Sequence, residues 1–231
     1  MKKNIVILII IAILIGLGGY FLFQNVYKRS MVDSDNIIDW DNTEEIFNID
    51  IPSDFDDTKM ERLEEKIATA KQALDTDREN TWTWIVVGNM YEFVQDYDRA
   101  IAAYEQALSL QEMEVISLSN LAYIYEKYKP DFDKAEYYYK RLLESNPNIP
   151  VNYLNFAQFY DFRINDKQKA EQTYLDGLDN TENNPDVLVA IIRFYERENR
   201  LDEAKKYANL LLELYPDEPQ YEVDFGYLIN N

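Results

Sequence analysis

The chain has 231 residues, and its 47% hydrophobic content is enough for a folded core. It contains no cysteine and no histidine, which excludes disulfides, thiolate nucleophiles, imidazole bases and the usual zinc ligands. The net charge of -20 repels nucleic-acid phosphate and attracts basic protein surfaces, although acidity can also serve solubility alone. The composition therefore argues against a nucleic-acid partner.

The first predicted element is an uncharged run, IVILIIIAILIGLGGYFLF, at residues 5–23. As a helix it would span roughly 28 Å, close to the bilayer's hydrocarbon thickness of about 30 Å. A cleaved secretory signal is the alternative, because Gly16 and Gly18 are small residues before a cleavage point at Gly19. The apolar run continues beyond that point, which favours an uncleaved single-pass membrane anchor.

Basic residues flank this run in nearly equal number on both sides, so they give only a weak orientation signal. A short basic tail before a first apolar segment usually stays in the cytoplasm. This places residues 24–231 outside the cytoplasm. Residues 24–57 carry dense acids without a sustained helical period, which is typical of a self-repelling acidic linker.

The rest of the chain repeats a tyrosine followed by an acid, at intervals of 34, 35 and 35 residues: Tyr91, Tyr125, Tyr160 and Tyr195. The residues seven, four and three places before each tyrosine share one helical face with it. A second apolar period begins after each tyrosine, at Ala100, Ala135, Ala170 and Ala204. Because turn-like segments separate the two periods, each unit is predicted to be a helical hairpin.

The stretch WIVVGNMY at residues 84–91, followed by Ala100 and Tyr104, resembles the tetratricopeptide repeat. Four units follow this pattern, at about 81–114, 115–149, 150–184 and 185–218. A degenerate leading helix is predicted at 58–76, and a capping helix at 219–231. The resemblance implies an all-α fold over residues 58–231, a right-handed superhelical solenoid with a concave groove lined by the first helix of each pair.

Two departures from the pattern are visible. The second and third units carry one extra residue between their helices, and Gly177 stands where the third unit should have a small, helix-packing alanine. A clamp for a partner's terminal carboxylate is not expected either. The resemblance would require cations at positions that hold Ile85, Val151 and Asn155.

Residues two and five places before each tyrosine lie opposite the core face and are predicted to line the groove. The candidate partner-binding residues are Asn89, Asn120, Tyr123, Asn155, Gln158 and Arg193. Amides can pair with an extended peptide backbone, and members of the family that grip peptides often use asparagines placed in this way. Asparagine is also common here in the repeat pattern, so a purely structural role stays open.

The acids that follow the tyrosines are predicted to form an acidic rail at the edge of the groove: Glu92, Glu126, Asp161 and Glu196. A rail of this kind would steer a basic partner in a salt-dependent way. The alternative is coincidence, because the chain contains 43 acidic residues.

The sequence as a whole predicts a membrane-anchored scaffold that holds a peptide or protein partner, in envelope assembly, secretion or chaperoning. The alternative is a structural or self-associating subunit of a membrane complex. An enzyme is not expected, since no carboxylate pair lies in a recognisable catalytic set. No metal and no cofactor is expected.

Overall fold

The computed structural model describes residues 39–229, which contain eleven α-helices, one π-helical turn and no β-strand. A first compact unit ends at Asp56, and its described part contains the short helix α1, Thr43–Ile46. A second compact unit begins at Asp57 and contains all the other helices of the described region. Among residues 39–229, no helix is both long and apolar enough to cross a bilayer. The predicted anchor at residues 5–23 lies outside the described residues.

The second unit consists of a leading helix, four hairpins and a final helix. The leading helix α2 covers Asp57–Thr76. The hairpins, numbered 1 to 4, are α3 (Thr81–Phe93) with α4 (Tyr97–Leu110), α5 (Val115–Lys127) with α6 (Phe132–Ser145), α7 (Pro150–Gln158) with α8 (Lys167–Asn180), and α9 (Pro185–Arg197) with α10 (Leu201–Leu214). The final helix α11 covers Pro219–Ile229. Each hairpin contacts the next, so the predicted all-helical solenoid is confirmed for the described residues.

The second helices of hairpins 1 to 3 begin in the same way. Asp96, Asp131 and Asp166 each accept a hydrogen bond from the backbone N–H three residues later, at 3.0 to 3.1 Å. This satisfies a helix N–H that has no partner within the helix. Hairpin 4 has Arg200 at this position and no side-chain cap.

The core of each hairpin is built around the repeated tyrosines, which are all buried: Tyr91, Tyr125, Tyr160 and Tyr195. In hairpin 1 the ring of Tyr104 on α4 lies directly against Gly88 on α3. A Cβ atom at Gly88 would lie 2.5 Å from Tyr104 Cε1, which is too close for any larger residue. The equivalent positions of hairpin 4 hold Ile192 and Ala208, both fully buried. In hairpin 4 the larger of the two side chains is therefore on the first helix, whereas in hairpin 1 it is on the second.

Hairpin 3 reverses the arrangement of hairpin 1. Its glycine, Gly177, is on the second helix, and its tyrosine, Tyr153, is on the first. A Cβ atom at Gly177 would lie 2.9 Å from Tyr153 Cβ and 3.3 Å from Val187 Cγ1. The departure from alanine at this position therefore has a steric cause, since α8 passes too close to α7 for a methyl group.

The extra residue of hairpin 3 is accommodated as a π-helical turn, Phe159–Ile164, which continues directly from α7. A π-turn holds one more residue than an α-turn, so it accommodates an insertion without opening a loop. It ends at Asn165 in the left-handed region, with φ of 57°. In hairpin 2 the extra residue instead lengthens the connection between α5 and α6, which covers residues 128–131.

The connection between α2 and α3 is fixed by side chains of α3. Trp84 is 2% exposed, and its indole Nε1 donates to the backbone carbonyl of Arg78 at 2.7 Å. Thr83 Oγ1 donates to the carbonyl of Asp77, also at 2.7 Å. These bonds tie the end of the leading helix to hairpin 1.

Candidate functional site

A cleft of about 570 Å³ opens along the first helices of hairpins 1 to 3, and it is called the central cleft below. Four predicted groove residues line it: Asn120, Tyr123, Asn155 and Gln158. Two acids of the predicted rail also line it: Glu92 and Glu126. These side chains come together because α3, α5 and α7 present the same face of successive hairpins.

Two predicted groove residues lie outside the central cleft. Asn89 lines a smaller cleft beside α2, and its Oδ1 lies 2.7 Å from Tyr104 Oη and 3.4 Å from Asn120 Nδ2. Arg193 donates to Glu196 at 2.8 Å, and its guanidinium lies 4.5 Å from the centre of the Phe225 ring. Both side chains thus make contacts within the fold.

Several residues of the cleft were missed by sequence reasoning, including Lys127, Phe162 and Arg163. Phe162 and Arg163 belong to the π-helical turn, whose residues do not follow the 3.6-residue period of an α-helix. The extra residue of hairpin 3 was the available signal, but spacing alone does not show that it forms a π-turn. Lys127 lies beside the predicted acid Glu126 at the end of α5.

Glu92 is half-buried and binds a tyrosine hydroxyl. Tyr104 Oη lies 2.9 Å from Glu92 Oε2 and 2.7 Å from Asn89 Oδ1, so its single proton is shared between two acceptors. Burial, and then the Glu92 charge, raise the pKa of Tyr104 far above its ordinary value. Within residues 39–229, no lysine or arginine nitrogen lies within 4.0 Å of the Glu92 carboxylate.

Glu126 is in a different environment, although it has the same place in its repeat. It is 7% exposed, and Tyr139 Oη donates to it at 2.7 Å. Lys127 Nζ and Arg163 Nε lie 2.5 and 3.2 Å from its Oε1. Burial alone would raise the pKa of Glu126, but the hydrogen bonds from Lys127, Tyr139 and Arg163 lower it overall.

The other two acids of the predicted rail are also paired within the chain. Asp161 is 1% exposed, and Lys167 Nζ and Arg197 Nη2 each lie 2.5 Å from one of its oxygens. Glu196 binds Arg193 and the hydroxyl of Tyr227. The four acids therefore do not form the open negative rail expected from their spacing. Cations of the same chain meet three of them, and the hydroxyl of Tyr104 meets the fourth, Glu92.

Comparison with known proteins agrees with this architecture. Residues 91–150 and 193–218 each match a family model described as tetratricopeptide repeat. The chain contains tetratricopeptide repeats in these two stretches. No curated protein matches the chain significantly.

Solved structures with a similar fold include two crystal structures of MamA. One is 20% identical over 71% of this chain and 89% of that chain, with a TM-score of 0.55. The other is 19% identical over 72% and 99%, with a TM-score of 0.54. YrrB, described as a TPR protein with an unusual peptide-binding site, is 17% identical over 68% and 82%, with a TM-score of 0.49. At these identities the MamA structures show a shared fold.

Three tyrosines form a cluster where tetratricopeptide hairpins 1 and 2 meet. The rings of Tyr97 and Tyr128 stack with centroids 4.2 Å apart, and Tyr123 meets Tyr128 edge-on at 5.6 Å. Burial, then Tyr128 and Glu92, raise the pKa of Tyr97 to about 12. A hydrogen bond with Tyr128, burial, and the charges of Glu92 and Glu126 raise the pKa of Tyr123. The cluster thus lies in the negative potential of the cleft carboxylates.

Chemically, the central cleft offers amides, aromatic rings and charges of both signs. Within residues 39–229, no group of three histidine, cysteine, aspartate or glutamate side chains is arranged to hold a metal ion. The cleft is a polar surface, with hydrogen-bonding groups on three consecutive hairpins.

Proposed function

We propose that the tetratricopeptide repeats hold an extended segment of a partner protein in the central cleft. Tetratricopeptide repeats are protein-interaction scaffolds that bind proteins or peptides. The observation that carries the proposal is the row of amides in the cleft. Asn155 and Gln158 are exposed there, and Asn120 lies beside them on the preceding hairpin.

Amide side chains suit this role because each one donates and accepts hydrogen bonds, as a peptide backbone does. The volume of about 570 Å³ falls within the range of about 300 to 1,000 Å³ that is usual for ligand sites. The cleft is open along the solenoid, so it suits a chain segment better than an enclosed small molecule. A catalytic role is not part of the proposal.

The membrane anchor belongs to the same proposal. Residues 5–23 anchor the chain and the repeats lie outside the cytoplasm, so the partner is an envelope, secreted or membrane protein. The length and apolarity of that run support this placement. Protease added to intact cells should cleave the repeat region, whereas full protection would indicate the opposite orientation.

The groove proposal is tested by site-specific photo-crosslinking with the full chain in its native membrane. A crosslinker at Phe162, which is exposed and lines the cleft, should trap a partner protein through one short peptide, and a crosslinker at the exposed Asp202 on α10 should not. The double variant Asn155→Ala/Gln158→Ala should reduce this crosslinking tenfold or more, because roughly 1 kcal/mol is lost for each hydrogen bond.

Two outcomes would count against the groove. If only a crosslinker placed on α11 forms crosslinks, and only to a second copy of the chain, the result favours the self-associating subunit. Trapping from Phe162 that is unaffected by the double variant shows that the amides do not bind the partner.

A further inference from the structure

We infer that the hairpin 1 end of the central cleft receives one lysine or arginine side chain of the bound segment. In this arrangement Glu92 is the counter-ion and Tyr123 is an aromatic wall. The inference rests on the proposed function, since it specifies the chemistry of a segment held in the same cleft.

Of the two carboxylates that line the cleft, Glu92 is the one with no cation beside it among residues 39–229. Its one described bond comes from the neutral hydroxyl of Tyr104, at 2.9 Å on Oε2. An ionised carboxylate has about four acceptor sites, so a single neutral donor leaves most of this capacity unused. Because Glu92 is half-buried, a cation bound there is screened less than on an open surface.

Tyr123 supplies the second element of cation recognition. It lines the same cleft with 43% of its surface exposed, and its ring is held edge-on to Tyr128. Tyr97 stacks on Tyr128, so two further aromatic side chains lie behind the exposed ring of Tyr123. Aromatic rings attract cations, and a nearby carboxylate strengthens the preference for a positive group over a neutral one.

The other end of the cleft excludes a second cation. Glu126 is already paired with Lys127 and Arg163, and these three groups together carry one net positive charge. A basic residue placed there would meet like charge. The cleft is therefore polarised along its length, and it selects a segment with a single basic residue at one end rather than a polybasic one.

The experiment is selection of random twelve-residue peptides on the full chain in detergent. The unchanged chain is compared with Glu92→Gln and with the control Glu213→Gln, an exposed acid on α10. Peptides selected by the unchanged chain and by the control should share a lysine or arginine at one aligned position. Glu92→Gln should still select peptides, but without that preference. Glutamine retains an acceptor for Tyr104, so the fold is preserved.

One selected peptide is then used as a defined probe. Replacing its basic residue by norleucine, or Glu92 by glutamine, should each raise Kd about five- to tenfold, and the two changes together should cost no more than either alone. Tyr123→Leu should raise Kd about threefold, by loss of the aromatic contact.

The outcomes separate the two proposals. Selected peptides without an aligned basic residue, or a norleucine penalty that persists in Glu92→Gln, overturn this inference and leave the groove intact. If no peptide is selected, or if Asn155→Ala/Gln158→Ala selects the same peptides with the same affinity, the groove proposal fails and this inference fails with it.

Discussion

Hairpins 1 and 3 both place an acid directly after the core tyrosine, but the two acids lie in opposite surroundings. Glu92 is half-buried, binds a tyrosine hydroxyl and faces the cleft without a cation among the described residues. Asp161 lies in the π-helical turn, is 1% exposed and binds Lys167 and Arg197. The same sequence pattern thus leaves a carboxylate facing the cleft in one hairpin and joins neighbouring hairpins in the other.

The surroundings of each acid differ because the following hairpin places a different side chain beside it. Arg197 of hairpin 4 reaches back to Asp161, as Arg163 of hairpin 3 reaches back to Glu126. In hairpin 2, the aromatic ring of Tyr123 lies near Glu92, where a cation would otherwise neutralise it. An acid in a repeat protein acquires its role from the next repeat, so its spacing alone does not decide that role.

The largest effect is expected from removing the buried charge. Asp161→Asn should lower the free energy of unfolding by about 2 to 3 kcal/mol, because Lys167 and Arg197 lose their common counter-ion. This is less than for fully buried pairs, since both cations are about 40% exposed. Glu92→Gln, the matched change in hairpin 1, should cost under about 0.5 kcal/mol. Urea unfolding of the full chain, followed by circular dichroism, measures both. Equal losses would abolish the distinction between the two acids.

A medium effect is expected from the glycine of hairpin 1. Gly88→Ala should destabilise the chain by about 1 to 2 kcal/mol, although alanine favours a helix by about 1 kcal/mol, because the added methyl group meets the ring of Tyr104. That ring is fully buried and held by its hydroxyl, so it cannot easily move. In a Tyr104→Leu background the same change should become neutral or stabilising. A persistent loss there would show that the ring is not the obstacle.

The smallest effect concerns the connection inside hairpin 1. Gln95 adopts a φ of 63°, which is a left-handed conformation. Asn165 in hairpin 3 and Asn199 in hairpin 4 adopt the same conformation. Asparagine tolerates this region better than glutamine, so Gln95→Asn should stabilise the chain by about 0.5 kcal/mol. The converse change, Asn199→Gln, should cost a similar amount. A thermal midpoint that does not rise for the first variant would count against backbone strain at this site.

The fold was predictable because four units repeat the same core pattern in phase, from Trp84 to Ala204, and a hairpin cannot bury its apolar face without a neighbour. The face assignment also places Asn120, Tyr123, Asn155 and Gln158 in one cleft, since it depends only on the helical period.

The remaining features of the site depend on contacts that are distant in sequence. Each of three rail acids has one partner that is distant in sequence, 37 residues away for Glu126, 36 for Asp161 and 31 for Glu196. Whether a long side chain crosses to the previous hairpin is decided by packing, which a single repeat pattern does not contain. Phe162 and Arg163 reach the cleft through the π-helical turn, whose phase also depends on packing.

The buried indole of Trp84 provides a fluorescence signal from one part of the chain. Every tryptophan of the chain, Trp40, Trp82 and Trp84, precedes residue 85, whereas tyrosines are spread through all four hairpins. Tryptophan emission therefore reports on the first unit, through Trp40, and on hairpin 1, through Trp82 and Trp84, whereas circular dichroism reports on all the helices. Since stability in a solenoid passes from neighbour to neighbour, the two signals together can show from which end the array begins to unravel.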